Sequence, residues 1–238
     1  MLGSALLTVA MVGAPGQTPQ DETFSRKITK TVSAAFQVAL PEGYDKNKRQ
    51  KWPLMVFLHG SGERGTDLKM VGVHGPLKEI AKGRKIPMIV VAPQCPADKW
   101  WDIDTLGGMI DHLERKYRVD KDRIYITGLS MGGYGTWGLA ETFPNRFAAI
   151  APVCGGGNFR LAKTIAHIPT WVTHGDADGA VPIAESQQMV DALIRAGAKP
   201  RFDIIKGGGH DVWTDFYAKD EFYTWLLEQK LPKVGTTN

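Results

Sequence analysis

Apolar residues along this chain gather into short runs, separated by stretches in which they recur every three or four positions. Pro53 to Leu58, Met88 to Ala92, Ile124 to Thr127, Phe147 to Val153 and Pro169 to Thr173 are runs with few or no polar residues. Bounded by Gly, Pro and polar residues, such runs predict strands covered on both faces. Arg201 to Ile205 predicts a last strand. Ala34 to Leu40 alternates weakly and predicts an early strand, and Thr23 to Val32, mixing β-branched and charged residues, predicts an edge strand. Helical spacing marks Leu106, Met109, Ile110, Leu113 and Tyr117, in a helix expected to be capped by Asp104. The stripe Met189, Val190, Leu193 and Ile194 places another over Ile183 to Ala196, stopped by Gly197. Pro76 to Gly83, Tyr134 to Thr142 and Phe216 to Gln229 read as three more helices, and Val119 to Asp122 as a turn. Strands and helices alternate with short connections. This predicts one α/β domain over residues 23–238, with a mostly parallel sheet of about eight strands, helices on both faces and no large cap domain.

A length of 238 residues and a hydrophobic fraction of 43% suit a single α/β domain with a sizeable core. The net charge of +4 is spread along the chain. Lys46, Lys48, Arg49 and Lys51 do cluster, but in a polar loop beside Asp45 and Asn47, which reads as a solvated turn and not a nucleic-acid surface. The two cysteines, Cys95 and Cys154, are too few for a disulfide scaffold and lack the paired spacing of a zinc site. Leu2 to Val12 is small and apolar, and Val12-Gly13-Ala14 resembles a small-residue cleavage site. Residues 1–22 therefore read as a secretory signal with a weak n-region followed by a polar linker, directing the chain to a secreted or periplasmic location. The alternative is a flexible leader on a cytoplasmic protein. No stretch is long and apolar enough for an integral membrane span.

The chemistry-bearing residues lie just past predicted strands, where α/β sheets bind ligands. In Arg123-Ile-Tyr-Ile-Thr-Gly-Leu-Ser-Met-Gly-Gly133, a strand meets a Gly-x-Ser-x-Gly turn and then a helix. That context makes Ser130 a candidate nucleophile held out on a tight turn; the plain reading is a Gly-rich turn with a capping serine. A serine hydroxyl needs a base in hydrogen-bond reach, and the base needs a carboxylate to fix its tautomer. His210, after three glycines at the end of the last strand, is the candidate base among six histidines. His59 is expected to shape its Gly-rich loop and His174 to brace the loop that follows it. Asp176 and Asp178, both in that loop, compete for the carboxylate role. The amide of Met131, next after the nucleophile, is a candidate oxyanion donor. The loop His59 to Gly65 should supply a second, at Ser61. Trp100, Trp101 and Trp213 fall at the same rim, either walling a substrate pocket or packing the edge. Trp137, Trp171 and Trp225 read as core, and Trp52 as loop packing.

Taken together, Leu58-His-Gly-Ser-Gly-Glu-Arg-Gly65, Gly128-Leu-Ser-Met-Gly-Gly133, His174-Gly-Asp-Ala-Asp-Gly-Ala-Val-Pro182 and Gly209-His210 resemble the α/β-hydrolase superfamily. Within it the chain is similar to the small carboxylesterase/phospholipase and dienelactone-hydrolase-like esterases, from about Val38 to the C-terminus. The resemblance implies an α/β-hydrolase fold with no metal or organic cofactor. It selects Asp178 over Asp176 as the third catalytic residue and Ser61 as the second oxyanion donor. It also implies a strand order that puts three strand spacings, about 14 Å, between the ends of the strands preceding Cys95 and Cys154. A disulfide needs Cα atoms within about 7 Å, so two free thiols are expected. The implied activity is hydrolysis of a small-molecule carboxylic ester with a short acyl or an aryl, feruloyl-like group. Two alternatives stand beside it: a prolyl-oligopeptidase-like serine peptidase, and a non-catalytic binding protein on the same scaffold. The acyl chain, the alcohol and the oligomeric state are not legible.

Overall fold

The computed structural model describes residues 21–231. The expected signal segment lies almost wholly outside them. Residues 21–31 belong to a unit separate from Val32 onward and are exposed chain without helix or strand. The edge strand expected over Thr23 to Val32 is thus absent. β-branched residues there sit between Arg26, Lys27 and Lys30, and propensity without a paired ladder and a buried face does not hold a strand.

From Val32 onward the elements are β1 (Phe36–Ala39), β2 (Trp52–Leu58), α1 (Gly75–Ala81), β3 (Ile89–Pro93), α2 (Ile103–Lys116), β4 (Val119–Leu129), α3 (Met131–Thr142), β5 (Ala149–Val153), α4 (Ala162–Ile165), β6 (Trp171–Gly175), α5 (Ala184–Arg195), β7 (Arg201–Ile205), α6 (Trp213–Ala218) and α7 (Asp220–Glu228). The seven strands form one sheet in the order β1-β3-β2-β4-β5-β6-β7. Only the β1–β3 pairing is antiparallel. Among the described residues the count is one fewer than expected, because residues 23–32 hold no strand.

The alternation along β2 explains the layers. Leu54, Val56 and Leu58 face one core with α2, α3, α4 and α5, through Leu106, Ile110, Trp137, Leu139, Ile165, Met189 and Leu193. Met55 and Phe57 face a second core with α1, α6 and α7, through Leu77, Phe216, Tyr217, Phe222 and Leu226. All seven residues of β2 are buried, as a central strand covered on both faces requires.

Several local expectations are corrected. Asp102, not Asp104, caps α2, because its carboxylate accepts the Thr105 amide at 2.9 Å. Val119 to Asp122 is not a turn but the start of β4, where Val119 pairs with Trp52. Trp52 begins β2 and joins the core instead of packing a loop. The single closing helix is two, broken at Lys219 in extended conformation. Arg84 fastens the break by donating to the Ala218 carbonyl and the Asp220 carboxylate on either side of it.

Two features of this topology position a site. After β2 the chain moves to one side of the sheet, and after β4 to the other, so the ends of β2 and β4 flank a switch point. The parallel register also brings the strand ends level. Leu58 pairs with Gly128, Gly128 with Pro152, Val153 with Thr173, and His174 with Ile204.

Candidate active site

Ser130 sits between β4 and α3 with φ 52° and ψ −118°, a conformation costly for a residue with a Cβ. It is held there by its amide, which donates to Val153 O at 2.9 Å, and by its carbonyl, which accepts from Gly133 N at 2.8 Å. The flanking glycines are steric necessities. A methyl on Gly128 would lie 2.4 Å from Gly132 O, and one on Gly132 only 1.9 Å from Leu58 O. The turn therefore closes onto β2 backbone to backbone, and Gly60, just past β2, comes against Ser130 and Leu129.

The loops after β6 and β7 are stitched together. Asp176 N donates to Ile205 O at 3.1 Å and Ala177 N to Gly208 O at 2.9 Å. Asp176 Oδ1 accepts the Gly207 amide at 2.6 Å, which commits that carboxylate to the loop junction. Asp178 instead turns inward. Its Oδ2 lies 2.7 Å from His210 Nδ1, and His210 Nε2 lies 3.0 Å from Ser130 Oγ. The structure thus brings Ser130, His210 and Asp178 into one hydrogen-bonded chain and leaves Asp176 out of it. Asp211, beside the histidine, accepts instead from the amide and hydroxyl of Thr214.

The electrostatics fit the geometry. Burial pushes the Asp178 carboxyl upward, but the Val181 amide, the His210 ring and the Ala180 amide outweigh it and hold it below the ordinary value. It is therefore an anion at neutral pH, facing the ring it orients.

The two candidate oxyanion amides both begin helical turns. Met131 is the first residue of α3, and Ser61 the first of a 3-10 turn over Ser61–Glu63. N–H groups at such positions have no intrahelical acceptor. The Ser61 loop is braced on every side: Gly60 N donates to Glu63 Oε2 at 2.9 Å, and Arg64 Nε to Ser61 O at 3.0 Å. His59 Nε2 accepts the Cys95 amide at 3.0 Å, so its Nδ1 carries the proton and donates to Gly60 O at 2.7 Å. Burial lowers its pKa, consistent with that neutral ring. His59 shapes the loop, as expected.

Of the three rim tryptophans, Trp100 is 64% exposed and stands edge-on to Tyr134 of α3, 5.8 Å between centroids. Trp101 packs on His59 at 4.8 Å, and its Nε1 donates to the His59 carbonyl. Trp213 is buried against the ring of His210 at 4.9 Å. Trp100 and Trp101 also line a cavity of about 350 Å³ with Gln94, Cys95, Lys99 and Thr105.

Residues that the sequence reading left without a role also reach this centre. Glu63 secures the Gly60 amide. Cys154, in left-handed backbone with φ 49°, directs its Sγ to His210 O at 3.4 Å. Both cysteines are buried and free, in line with the expected separation. Cys154, His174 and Asp178 offer ligand atoms within 4.8 Å of one another. Their donors are already committed, however: the Asp178 oxygens to Ala180, Val181 and His210, and His174 Nε2 to Val181 O. A cation there would have to break the chain to Ser130. Position in a Gly-rich or strand-end loop was the only sequence signal for Glu63 and Cys154.

Among the described residues no helix is long and apolar enough to cross a membrane. The family model described as the prolyl oligopeptidase family matches residues 99–171 and 159–230. Together these exceed half of the chain and contain Ser130, Asp178 and His210. A bifunctional acetylxylan esterase/xylanase from Neocallimastix patriciarum is 29% identical over 150 residues, covering 60% of this chain and 21% of that protein. A probable feruloyl esterase C from Aspergillus terreus is 26% identical over 230 residues, covering 90% of this chain and 81% of that protein. A solved structure of a thermostable esterase superposes with a TM-score of 0.71 at 35% identity, covering 82% of this chain and 59% of that one. The chain thus spans about a fifth of the first of these relatives and under two thirds of the thermostable esterase. The matched segments, the sheet order and the serine turn place this chain in the prolyl oligopeptidase family, on an α/β-hydrolase fold.

Proposed function

We propose that this protein is a serine hydrolase of carboxylic esters. The observation that carries the reading is the chain from Ser130 Oγ through His210 to Asp178, with links of 3.0 and 2.7 Å. Ser130 attacks the ester carbonyl as His210 Nε2 takes its proton. Asp178 keeps the proton of the resting ring on Nδ1 and stabilises the cation that forms. The amides of Ser61 and Met131 receive the developing oxyanion; each such donor contributes roughly 3 kcal/mol. His210 then returns the proton to the leaving alkoxide. Water enters by the same base to free the acid and regenerate Ser130.

The exposure of Trp100 and the part-exposed His210 side chain favour short acyl or aryl groups over long chains. The exposed face of Trp100 beside Tyr134 suits a flat aryl group. The names of the relatives, a feruloyl and an acetylxylan esterase, point the same way. A peptidase reading has the family model in its favour. Turnover of p-nitrophenyl esters from acetate to palmitate and of methyl ferulate, beside an aminoacyl p-nitroanilide, tests these together. Hydrolysis of acetate and ferulate esters that disappears in Ser130→Ala is expected. Turnover of the anilide alone would favour the peptidase, and turnover of none by folded protein would reject catalysis.

A further inference from the structure

The carboxylate of Asp178 has a second imidazole beside it. His174, at the end of β6, holds Nε2 3.2 Å from Asp178 Oδ2, the same oxygen that His210 uses, and both side chains are wholly buried. The same Nε2 lies 2.9 Å from Val181 O. Both of its neighbours are acceptors without a proton to give. A lone pair on Nε2 would face two electron-rich oxygens in a buried space, so the hydrogen resides there.

The other ring nitrogen explains how that state is kept. His174 Nδ1 lies 2.8 Å from Ser186 Oγ on α5, which lies 2.9 Å from Gly155 O. Gly155 O has another donor, Trp137 Nε1 at 3.3 Å. Ser186, which donates to Gly155 O, thereby ties the Nδ1 edge of the ring to α5 and to the backbone after β5, and Nε2–H faces Asp178. With Ala180 N at 2.8 Å and Val181 N at 2.9 Å on Oδ1, donors then occupy the four lone-pair directions of the carboxylate.

We propose that His174 is a positioning residue of this site: its Nε2–H, with the ring held by Ser186, fixes the Asp178 carboxylate and draws charge from it, setting how strongly His210 is oriented and made basic. The inference rests on the serine-esterase reading above. The other titratable groups around this carboxylate are His210, the Cys154 thiol, and Tyr134, whose hydroxyl bonds Glu185.

The test compares His174→Gln, which keeps an N–H near the Nε2 position, with His174→Asn, which does not reach it. Both are assayed on p-nitrophenyl acetate across pH, beside Ser130→Ala and the unsubstituted protein. In His174→Asn, kcat should fall about ten- to hundredfold, the range for losing a hydrogen bond to a charged group, with KM nearly unchanged. The acid limb of kcat/KM should move to higher pH, because a carboxylate freed of one donor holds the His210 cation more tightly. His174→Gln should restore most of kcat and the position of the limb. Equal behaviour of the two variants, with Ser130→Ala inactive, overturns the positioning role alone. Full activity in Ser130→Ala rejects the esterase reading and the positioning role with it. Ring ¹⁵N shifts of His174 in the unsubstituted protein need no variant to fold. An N–H at Nε2 throughout the active pH range is expected, and a pyridine-type Nε2 overturns the proposal.

Discussion

Replacing Gly132 by alanine tests the claim that the serine turn works by backbone-to-backbone closure. The added methyl would sit 1.9 Å from Leu58 O, 2.5 Å from its carbonyl carbon and 2.8 Å from His59 O. Carbon in van der Waals contact needs about 3.5 Å, so the start of α3 and the end of β2 must part by more than about 1 Å. Neither wall is a flexible side chain that could swing aside. Overpacking of this kind costs about 1–3 kcal/mol of stability. The separation also moves the Ser61 loop away from Ser130 and Met131, and a misplacement of about 1 Å costs roughly 100-fold in rate. Gly62 is the matched control: it lies in the Ser61 loop, and a methyl there meets nothing within 4 Å. Steady-state hydrolysis of p-nitrophenyl butyrate and urea unfolding read the two effects. Gly132→Ala should lose about two orders of magnitude in kcat/KM and lower the urea midpoint, while Gly62→Ala stays within about twofold. Wild-type activity and midpoint in Gly132→Ala would refute the close-approach argument. Equal damage from Gly62→Ala would trace the loss to loop composition instead.

Two further outcomes follow from buried groups. Burial raises both thiols, Cys154 to about 12. A thiol-disulfide reagent at neutral pH should therefore label neither in the native protein and both after unfolding; rapid native labelling of Cys154 would contradict its placement. Glu141 accepts the Asn158 amide at 2.7 Å, yet burial raises its carboxyl from 4.5 to about 7. A folded value above the unfolded one means that its contribution is complete below about pH 4.5 and is lost as pH rises through about 7. Glu141→Gln should flatten the decline of the urea midpoint over that window, and parallel profiles for the two proteins would count against it.

Much of this molecule is written in local pattern. A strand flanked by helix layers needs apolar residues on both faces, so Pro53 to Leu58 and Met88 to Ala92 announce themselves without tertiary knowledge. Gly128, Ser130 and Gly132 are equally legible, because a turn that admits no Cβ on either side of a serine leaves a short and specific signature. The order Ser130, Asp178, His210 is visible because each follows a strand.

What required the tertiary structure is what depends on partners distant in sequence. Asp176 and Asp178 share a loop and a residue type. The Gly207 amide, delivered by the next strand's loop, takes up the first, while His210, from beyond that same strand, engages the second. Thr23 to Val32 has strand-like composition, and whether a partner edge pairs with it is not a local property. The break at Lys219 depends on Arg84, more than a hundred residues away in sequence. The company His174 keeps was equally invisible: Ser186 and Gly155 reach it through the packing of α5 on the sheet. Local pattern fixed which residues are buried and which stand at strand ends. The fold decided which of those strand-end groups meet, because hydrogen bonds between loops are set by strand order and register.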